Sequence, residues 1–489
     1  MLFTDPIFLT KFLPLVLLGF YATLFSKTRW HSQVVLIGAS LIFYSWFKSE
    51  YLVLLVGSMV VNYVLAKHIL KQAGTPKSKK ILVFGIVANL LLLGVYKYLG
   101  FLTININALF EVGLPDPKLL LPLAISFFTF QQISYLCDSH AGKMEPSSHT
   151  PLEYGLFVTF FPQLIAGPIV HHSEMMPQFR KTIAPSARAI LFCEGLCLFA
   201  LGLFKKLAIA DSIAPYANTV FTSVDGGVGV TAMTAWGGAL AYTFQIYFDF
   251  SGYSDMAIGL GLLFAIRLPW NFNSPYKSEN MSEFWRRWHM TLSRWLRDYL
   301  YIPLGGNRHG KLRQYINNFA TMVLGGLWHG AHWNFIIWGA LHGVYLIANQ
   351  FVRAIAKFFG ILDVVETAKS IRFTSWGITF LAAVVAWVFF RATTTTGAVS
   401  MILSMFGFAS EGAVDMPATI QTTLWVVLAA LSAFLLPNTK EISEIFQKDL
   451  LKRPVTVVCS LGTLSGFAVA LAFFASLSLT QSPFLYFNF

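Results

Sequence analysis

The sequence predicts an all-α polytopic membrane protein, and two observations lead to this prediction. The 489 residues are 56% hydrophobic and only 12% charged, whereas soluble domains are about 25% charged. Apolar runs near the ~20 residues that a spanning helix needs recur along the chain with short polar breaks. These runs cover residues 7–25, 31–47, 51–66, 80–99, 119–137, 188–210, 373–391, 418–436 and 455–479.

Three further apolar segments, 152–170, 231–266 and 317–352, are interrupted by Gly, Pro and polar residues. We expect tilted, kinked or re-entrant helices there, because irregular backbone inside a membrane must be covered by protein or line a cavity. Together the segments predict roughly 10–12 membrane-crossing helices. No loop is long enough for a separate soluble domain of typical size. The chain 1–489 is therefore predicted to be a single domain, with residues 267–350 as its catalytic core.

The formal charge of +12 would raise the question of nucleic-acid binding in a soluble protein. Here the basic residues lie in loops between apolar runs, where the positive-inside rule explains them without a nucleic-acid partner. Counting runs from the first loop predicts an external N-terminus and a cytoplasmic 67–80 loop. The four cysteines lie in or beside apolar segments, which is typical of buried thiols rather than of disulfides or metal ligands.

An amphipathic helix is predicted over about residues 281–300. The run Asn280-Met281-Ser282-Glu283 resembles a capping box and predicts where the helix begins. A helical repeat of ~100° per residue separates an apolar face from a charged face, as in interfacial helices. The apolar face comprises Phe284, Trp285, Trp288, Leu292, Trp295, Leu296 and Tyr299, and the charged face comprises Glu283, Arg286, Arg287, Arg294, Arg297 and Asp298. These arginines bind either anionic lipid head groups or the phosphates of an anionic cytosolic donor.

His329 is the strongest candidate for chemistry. It lies in an apolar segment, and an ionisable side chain at membrane depth is by default a functional candidate because it is costly there. Neighbouring glycines at 325, 326 and 330 allow close approach of backbone or ligand, and Trp328 and Trp333 are expected to wall a pocket. A neutral imidazole in a dry pocket can accept a proton from a hydroxyl. The alternative is a histidine that only hydrogen-bonds neighbouring helices.

The remaining histidines have weaker cases. His289 falls between the two faces of the predicted helix, where an interfacial histidine without further role is the alternative. His332, one helical turn beyond His329, is a partner, a structural donor or a bystander. A zinc site is not predicted, because no carboxylate or cysteine lies near His329 and His332 in the sequence. His171, His172 and His342 are equally unsupported as ligands.

Two polar clusters within apolar segments predict contacts between helices. One contains Asp249, Ser251, Ser254 and Asp255, for which Arg267 is the expected ionic partner; the other contains Gln131, Gln132 and Asp138.

Six motifs and their order along the chain resemble those of the bacterial branch of the membrane-bound O-acyltransferase (MBOAT) family. Within that branch, the resemblance is strongest to the members that O-acetylate alginate. They are FPQLIAGP at 161–168, DFSGYSD at 249–255, WNFNSPY at 270–276, FWRRWH at 284–289, LGGNR at 304–308 and LWHG at 327–330. The resemblance covers nearly the whole chain. It implies a ring of helices around a thin centre, with a tunnel that holds the family histidine between the two membrane faces.

The resemblance also implies residue roles and an activity. His329 becomes the catalytic base and His289 the second catalytic position. The implied substrate-binding and donor-binding residues are Asn273, Tyr276, Trp285, Arg286, Arg287, Trp288, Trp328 and Asn334. The implied reaction moves acetyl from a cytosolic thioester, acetyl-CoA, to a hydroxyl acceptor or a periplasmic acetyltransferase partner, for O-acetylation of an exopolysaccharide such as alginate. No permanently bound cofactor and no metal are expected, and the location is the bacterial inner membrane, among lipids.

Two alternatives remain open. The same chemistry could serve another polymer: cellulose, peptidoglycan or D-alanylated teichoic acid. A protein of another class, a polytopic transporter or flippase, would use the histidines for proton coupling or binding instead of acyl transfer.

Overall fold

A computed structural model describes residues 1–24, 30–144, 150–408, 413–450 and 484–485. This part of the chain is helical, and its only paired extended backbone is an isolated bridge between Val230 and Val414. The all-α prediction is therefore confirmed. The chain divides into two compact units, the first built mainly from Met1–Leu201 and Tyr253–Pro269, and the second mainly from Gly202–Gly252 and Trp270–Ile445. The prediction of a single domain stays a prediction.

The first unit contains eight complete helices among the described residues and parts of three others. The complete ones are Phe8–Thr23, Trp30–Ser45, Glu50–Lys71, Pro76–Phe110, Ile125–His140, Pro151–Thr159, Phe161–Leu164 and His172–Arg180. Three helices contribute residues to both units: Pro185–Phe204, Ala232–Leu263 and Thr439–Leu450.

The second unit contains the helices on which the candidate site is built. After Lys205–Ala210 and Asp211–Asp225 come Pro275–Lys277, Met281–Arg287, Met290–Leu296, Arg297–Tyr301, Gly310–His329, Trp333–Phe358, Leu362–Thr367, Lys369–Arg391, Thr395–Met405, Ile420–Leu435 and, as far as Ile445, Thr439–Leu450. Lys205–Ala210 and Arg297–Tyr301 are π-helical turns.

Several helices are long and apolar enough to cross a membrane. Five qualify within the described residues: Glu50–Lys71, Pro76–Phe110, Pro185–Asp225, Trp333–Phe358 and Lys369–Arg391; a sixth qualifies if the bent pair Ile420–Leu435 and Thr439–Ile445 is one span. Much of their apolar surface is exposed, as expected where lipid covers it. A polytopic membrane protein is thus confirmed. The count of 10–12 spans stays a prediction, and the apolar run 455–479 lies outside the described residues.

Polar side chains join helices within the first unit. Asn62 and Asn89 exchange amide hydrogen bonds of 3.2 and 2.7 Å between Glu50–Lys71 and Pro76–Phe110. The Gln132 side chain accepts a hydrogen bond of 3.2 Å from the Ser58 hydroxyl, and Asp138 pairs with His172 at 3.3 Å. The polar cluster around Gln132 and Asp138 therefore joins helices as predicted.

The ionic partner predicted for the Asp249 cluster is wrong. Arg267 instead pairs with Glu194 at 3.6 Å in the first unit. Asp249 belongs to the second unit, where its carboxylate lies 2.6 Å from the Lys206 ammonium, and Lys206 also contacts Asp211 at 2.7 Å. All three side chains are almost fully buried. A buried lysine with two carboxylates is compensated in charge, which a buried ion requires.

Candidate functional site

His329 is the last residue of the helix Gly310–His329 and is only 2% exposed. Three aromatic rings meet it edge to face: Trp328 at a centroid distance of 4.9 Å, Trp338 at 5.0 Å and Phe390 at 5.2 Å. Trp328 therefore contacts His329, whereas Trp333 is 51% exposed and is not one of these rings; the predicted pocket stays a prediction. Trp338 contacts His329 instead, because it faces inward from the following helix, Trp333–Phe358.

Glycines let the two helices around His329 approach closely. A Cβ added to Gly326 would lie 2.2 Å from the Phe335 carbonyl oxygen, and one added to Gly339 would lie 2.4 Å from the Met322 carbonyl oxygen. A Cβ added to Gly330 would meet the Phe335 ring at 2.1 Å. No real Cβ tolerates such distances, so these positions require glycine, and the predicted close approach is confirmed.

His332 does not continue the helix that carries His329. The helix ends at His329, and His332 caps the next helix by accepting a hydrogen bond of 3.2 Å from the Asn334 backbone N–H through Nδ1. The predicted spacing of one helical turn is therefore wrong, because Gly330 is extended and the chain changes direction. Burial lowers the pKa of His332, although the nearby Asp225 raises it. A capping role accounts for this side chain.

The predicted continuous helix over 281–300 is interrupted. Asn280 caps the helix Met281–Arg287 as expected, accepting from the Glu283 N–H at 3.0 Å. The chain then breaks at Trp288 and His289, and a second helix, Met290–Leu296, follows. The predicted faces are nevertheless correct: Phe284, Trp285, Trp288, Leu292, Trp295 and Leu296 are buried, and Arg286 and Arg297 are exposed. Helical periodicity could not detect a break that preserves the faces on both sides.

His289 occupies that break in a left-handed conformation with φ of 40°. A non-glycine residue in this region is strained, and such strain is concentrated at functional sites. The ring is fully buried, so it does not lie at the polar boundary that helical periodicity predicts. Burial lowers the pKa of His289 to about 3, and the imidazole is neutral at physiological pH.

Asn271 determines which nitrogen of His289 carries the proton. The Asn271 Oδ1 accepts hydrogen bonds from the Thr291 backbone N–H at 3.4 Å and from the Thr291 hydroxyl at 2.8 Å. Because a backbone N–H can only donate, this atom is the amide oxygen. The His289 Nδ1, 3.0 Å from the same oxygen, must then donate its proton to it. The lone pair of the neutral ring is therefore on Nε2.

The structure brings the two candidate catalytic histidines together. The centroids of the His289 and His329 rings are 6.5 Å apart, and the Trp328 ring lies 6.4 Å from that of His289. Phe250 meets His289 edge to face at 4.7 Å. At a centroid distance of 6.5 Å the two rings are too far apart for a direct hydrogen bond of ~3 Å between them.

Four of the predicted binding residues have their polar groups engaged by the protein. The Tyr276 hydroxyl donates to the Thr243 carbonyl at 2.6 Å, and the Asn273 amide oxygen accepts from Asn438 at 2.9 Å. Asn334 donates to the Ala392 carbonyl at 2.8 Å and accepts from the Thr395 hydroxyl at 2.7 Å; Arg287 pairs with Glu283 at 2.7 Å. These contacts give the four residues structural roles, and substrate binding by them stays a prediction.

The other four predicted binding residues differ in position. Trp328 touches His329 directly. Trp285 and Trp288 belong to a buried aromatic cluster with Phe284, Trp338 and Trp387. Arg286 is exposed, which suits either lipid or donor phosphate, and the choice between them stays open.

Sequence reasoning missed several residues of the site. In the sequence, Asn271 had no signal apart from its place in the WNFNSPY motif. Phe250, Trp338 and Phe390 were missed because an apolar run does not show which of its rings contacts a histidine.

His342 is fully buried and accepts a hydrogen bond of 3.2 Å from the Trp285 indole N–H through Nδ1. It therefore supports the aromatic cluster. Within the described ranges, no group of three or more His, Cys, Asp or Glu residues is arranged to hold a metal.

Comparisons with known proteins identify the class. The profile of the membrane-bound O-acyltransferase family matches residues 141–391. A peptidoglycan O-acetyltransferase of Helicobacter pylori is 41% identical over 100% of this chain and 98% of its own length. A probable alginate O-acetylase of Azotobacter vinelandii is 38% identical over 100% of both chains. A teichoic acid D-alanyltransferase of Bacillus subtilis is 30% identical over 48% of this chain and 61% of its own length.

The chain belongs to the membrane-bound O-acyltransferase family. It is an O-acyltransferase, similar to a peptidoglycan O-acetyltransferase and to a probable alginate O-acetylase. The resemblance seen in the sequence motifs is thereby confirmed, and the alternative of a transporter or flippase without acyl transfer is not supported. The implied ring shape and tunnel stay predictions.

Proposed function

We propose that this protein transfers an acetyl group from acetyl-CoA, on the cytosolic side, to a hydroxyl acceptor on the outer side of the bacterial inner membrane. The acceptor is a periplasmic acetyltransferase partner or the polysaccharide itself. The observation that carries the proposal is the pair of buried histidines, His329 and His289, 6.5 Å apart in a chain of the acyltransferase family. The protein needs no permanently bound cofactor for this reaction, because the thioester is already an activated acyl donor.

In the proposed reaction, His329 removes the proton from the acceptor hydroxyl as its oxygen attacks the thioester carbonyl. The new C–O bond forms, the C–S bond breaks, and the departing thiolate takes the proton from the His329 imidazolium. His289 is neutral, and its Nε2 carries a lone pair instead of a proton. It can accept a hydrogen bond from an incoming N–H or O–H group but cannot donate one to a developing oxyanion. We therefore assign it to positioning the donor or the acceptor.

For the polymer, we propose an alginate-type exopolysaccharide, as the alginate O-acetylase relative suggests. Peptidoglycan is the second candidate, because the Helicobacter pylori relative matches the full chain at 41% identity. Reconstituted vesicles with labelled acetyl-CoA outside and either alginate or peptidoglycan fragments inside, with and without a periplasmic partner, distinguish the two. Labelled acetyl in one polymer identifies the acceptor.

The most direct test of the proposed role of His329 is the substitution His329→Ala. A positioned general base contributes roughly 10²–10⁴-fold, so we expect acetyl transfer to fall by at least ~10²-fold while the protein still inserts and remains abundant. His68→Ala is the matched control, because His68 is exposed on Glu50–Lys71, and it should retain full activity. Transfer at the wild-type rate by a folded His329→Ala protein would overturn the role of His329.

A further inference from the structure

Arg391, the last residue of Lys369–Arg391, has an unusual environment in the second unit. One terminal nitrogen, Nη2, donates a hydrogen bond of 2.7 Å to the Asn218 amide oxygen. The guanidinium carbon lies 5.5 Å from the centroid of the Phe221 ring and 5.9 Å from that of Tyr242. A neutral amide and two aromatic faces thus surround a permanent positive charge.

Asp225, a carboxylate of the same unit, is engaged by other donors. The Asp225 carboxylate accepts hydrogen bonds from the Thr393 N–H and hydroxyl at 2.9 and 2.8 Å. It also accepts from the Thr394 N–H and hydroxyl at 3.1 and 3.0 Å. Arg391 forms no ion pair with any carboxylate in the described part of the chain. Lys206, in the same unit, shows the contrast, because two carboxylates compensate its charge.

Two hydrogen-bond donors at this position also lack partners. The Nε–H of Arg391 is buried, and among the described residues nothing accepts its hydrogen bond. The same holds for the hydroxyl of Tyr242, a residue that is fully buried. Leaving a buried donor unpaired costs about 1–3 kcal/mol and more for a charged group. The Nε–H of a cation and a hydroxyl, both without an acceptor among the described residues, provide the donors that an oxyanion requires.

The sequence neighbours of Arg391 connect this position to the candidate catalytic residues. Phe390 contacts the His329 ring at 5.2 Å, and the Ala392 carbonyl accepts from Asn334 at 2.8 Å. Arg391 thus lies between two residues that contact the 329–334 segment. An anion held by its guanidinium would belong to a molecule that reaches the vicinity of His329.

We propose that Arg391 and Tyr242 form a binding site for an oxyanion, a phosphate or a carboxylate carried by one of the two substrates of acyl transfer. The phosphates of the acyl donor and a carboxylate of the acceptor share this chemistry. Which substrate carries the anion depends on the proposed function; the presence of the site does not.

The first experiment measures binding without turnover. Purified full-length protein is heated in sulfate, in inorganic phosphate and in chloride at equal ionic strength. We expect sulfate and phosphate to raise the melting temperature of the wild type, and Arg391→Gln to abolish this difference. Tyr242→Phe, which removes one donor and keeps the ring, should weaken it. Arg353→Gln is the matched control, because Arg353 is exposed and pairs with Glu366.

The second experiment measures KM separately for acetyl-CoA and for the acceptor. Because Arg391→Gln removes a hydrogen bond between charged groups, we expect one of the two KM values to rise roughly 10-fold to 100-fold. Arg391→Lys keeps the charge and should cause a smaller rise. A higher KM for acetyl-CoA assigns the site to donor phosphate, and a higher KM for the acceptor assigns it to a carboxylate. If Arg391→Gln does not fold, Arg391→Lys and Tyr242→Phe provide the same readouts.

Unchanged KM values in folded variants overturn the proposal, whether or not sulfate stabilises the wild type, since that result leaves an adventitious ion only. Failure of the acetyltransferase proposal has a different signature: acetyl-CoA is not turned over, although anion stabilisation still depends on Arg391.

Discussion

The two candidate catalytic histidines are both buried, but the protein holds them by different means. His329 ends a 20-residue helix; three aromatic edges contact its ring, and glycines bring the neighbouring helix close. His289 lies in a break between two seven-residue helices, and a hydrogen bond to Asn271 orients its ring. Close packing of backbones therefore positions one ring, and a polar contact determines the tautomer of the other.

This difference means that different substitutions should disturb each histidine. A steric change at the glycine contact should displace His329. Removal of the Asn271 amide should instead allow the neutral His289 ring to exchange tautomers. Because the mechanism needs both rings at a fixed separation, either change should reduce acyl transfer. Both changes should also destabilise the fold, the steric one by overpacking and the other by leaving buried donors unpaired.

Gly326→Ala should have the largest effect. The added methyl would lie 2.2 Å from the Phe335 carbonyl oxygen, a backbone atom that cannot move without separating the two helices. Overpacking of this kind costs about 1–3 kcal/mol, and a displacement of ~1 Å near a catalytic group can cost ~10²-fold in rate. Thermal unfolding and acetyl transfer measured on the purified variant test both expectations.

Gly377→Ala is the matched control for that substitution. Gly377 lies in the helix Lys369–Arg391 of the same unit, and an added Cβ would meet no atom within 4 Å. Alanine is the better helix former by about 0.5–1 kcal/mol, so this variant should be equally or more stable and fully active. If Gly326→Ala behaved like Gly377→Ala, the glycine contact would not be what positions His329.

The comparison also shows what could be predicted from sequence. His329 stood out because it interrupts an apolar run between glycines, a local signal. The all-α fold followed from composition and run length in the same way. The break at His289 has no such signal, because Phe284, Trp285 and Leu292 keep helical spacing across it. The partner of Asp249 was predicted wrongly because the sequence offers many cations, and only packing of Lys205–Ala210 selects Lys206.

Asn271→Ala should have the second largest effect, on rate more than on stability. Without the amide oxygen, the Nδ1–H of His289 loses its acceptor at 3.0 Å, and the neutral ring can exchange tautomers. We expect kcat to fall roughly 10-fold to 100-fold, because a displacement of ~1 Å in a group that positions a substrate can cost ~10²-fold in rate. Asn349→Ala removes an amide hydrogen bond of 2.8 Å to Ser282 and serves as the control. Equal losses of activity in the two variants would contradict the orienting role of Asn271.

The smallest expected effect is the pH dependence of stability due to His289. Its pKa is about 3 in the folded protein and 6.5 in the unfolded chain, so between these values only the unfolded chain binds the proton. Stability therefore falls as pH decreases below 6.5, by about 1.4 kcal/mol per pH unit from this group alone. His289→Gln removes the titrating ring, and its melting temperature should decline less than that of the wild type between pH 6.5 and 5.5. Parallel pH profiles for the two proteins would show that burial does not lower the pKa of His289 in the folded protein.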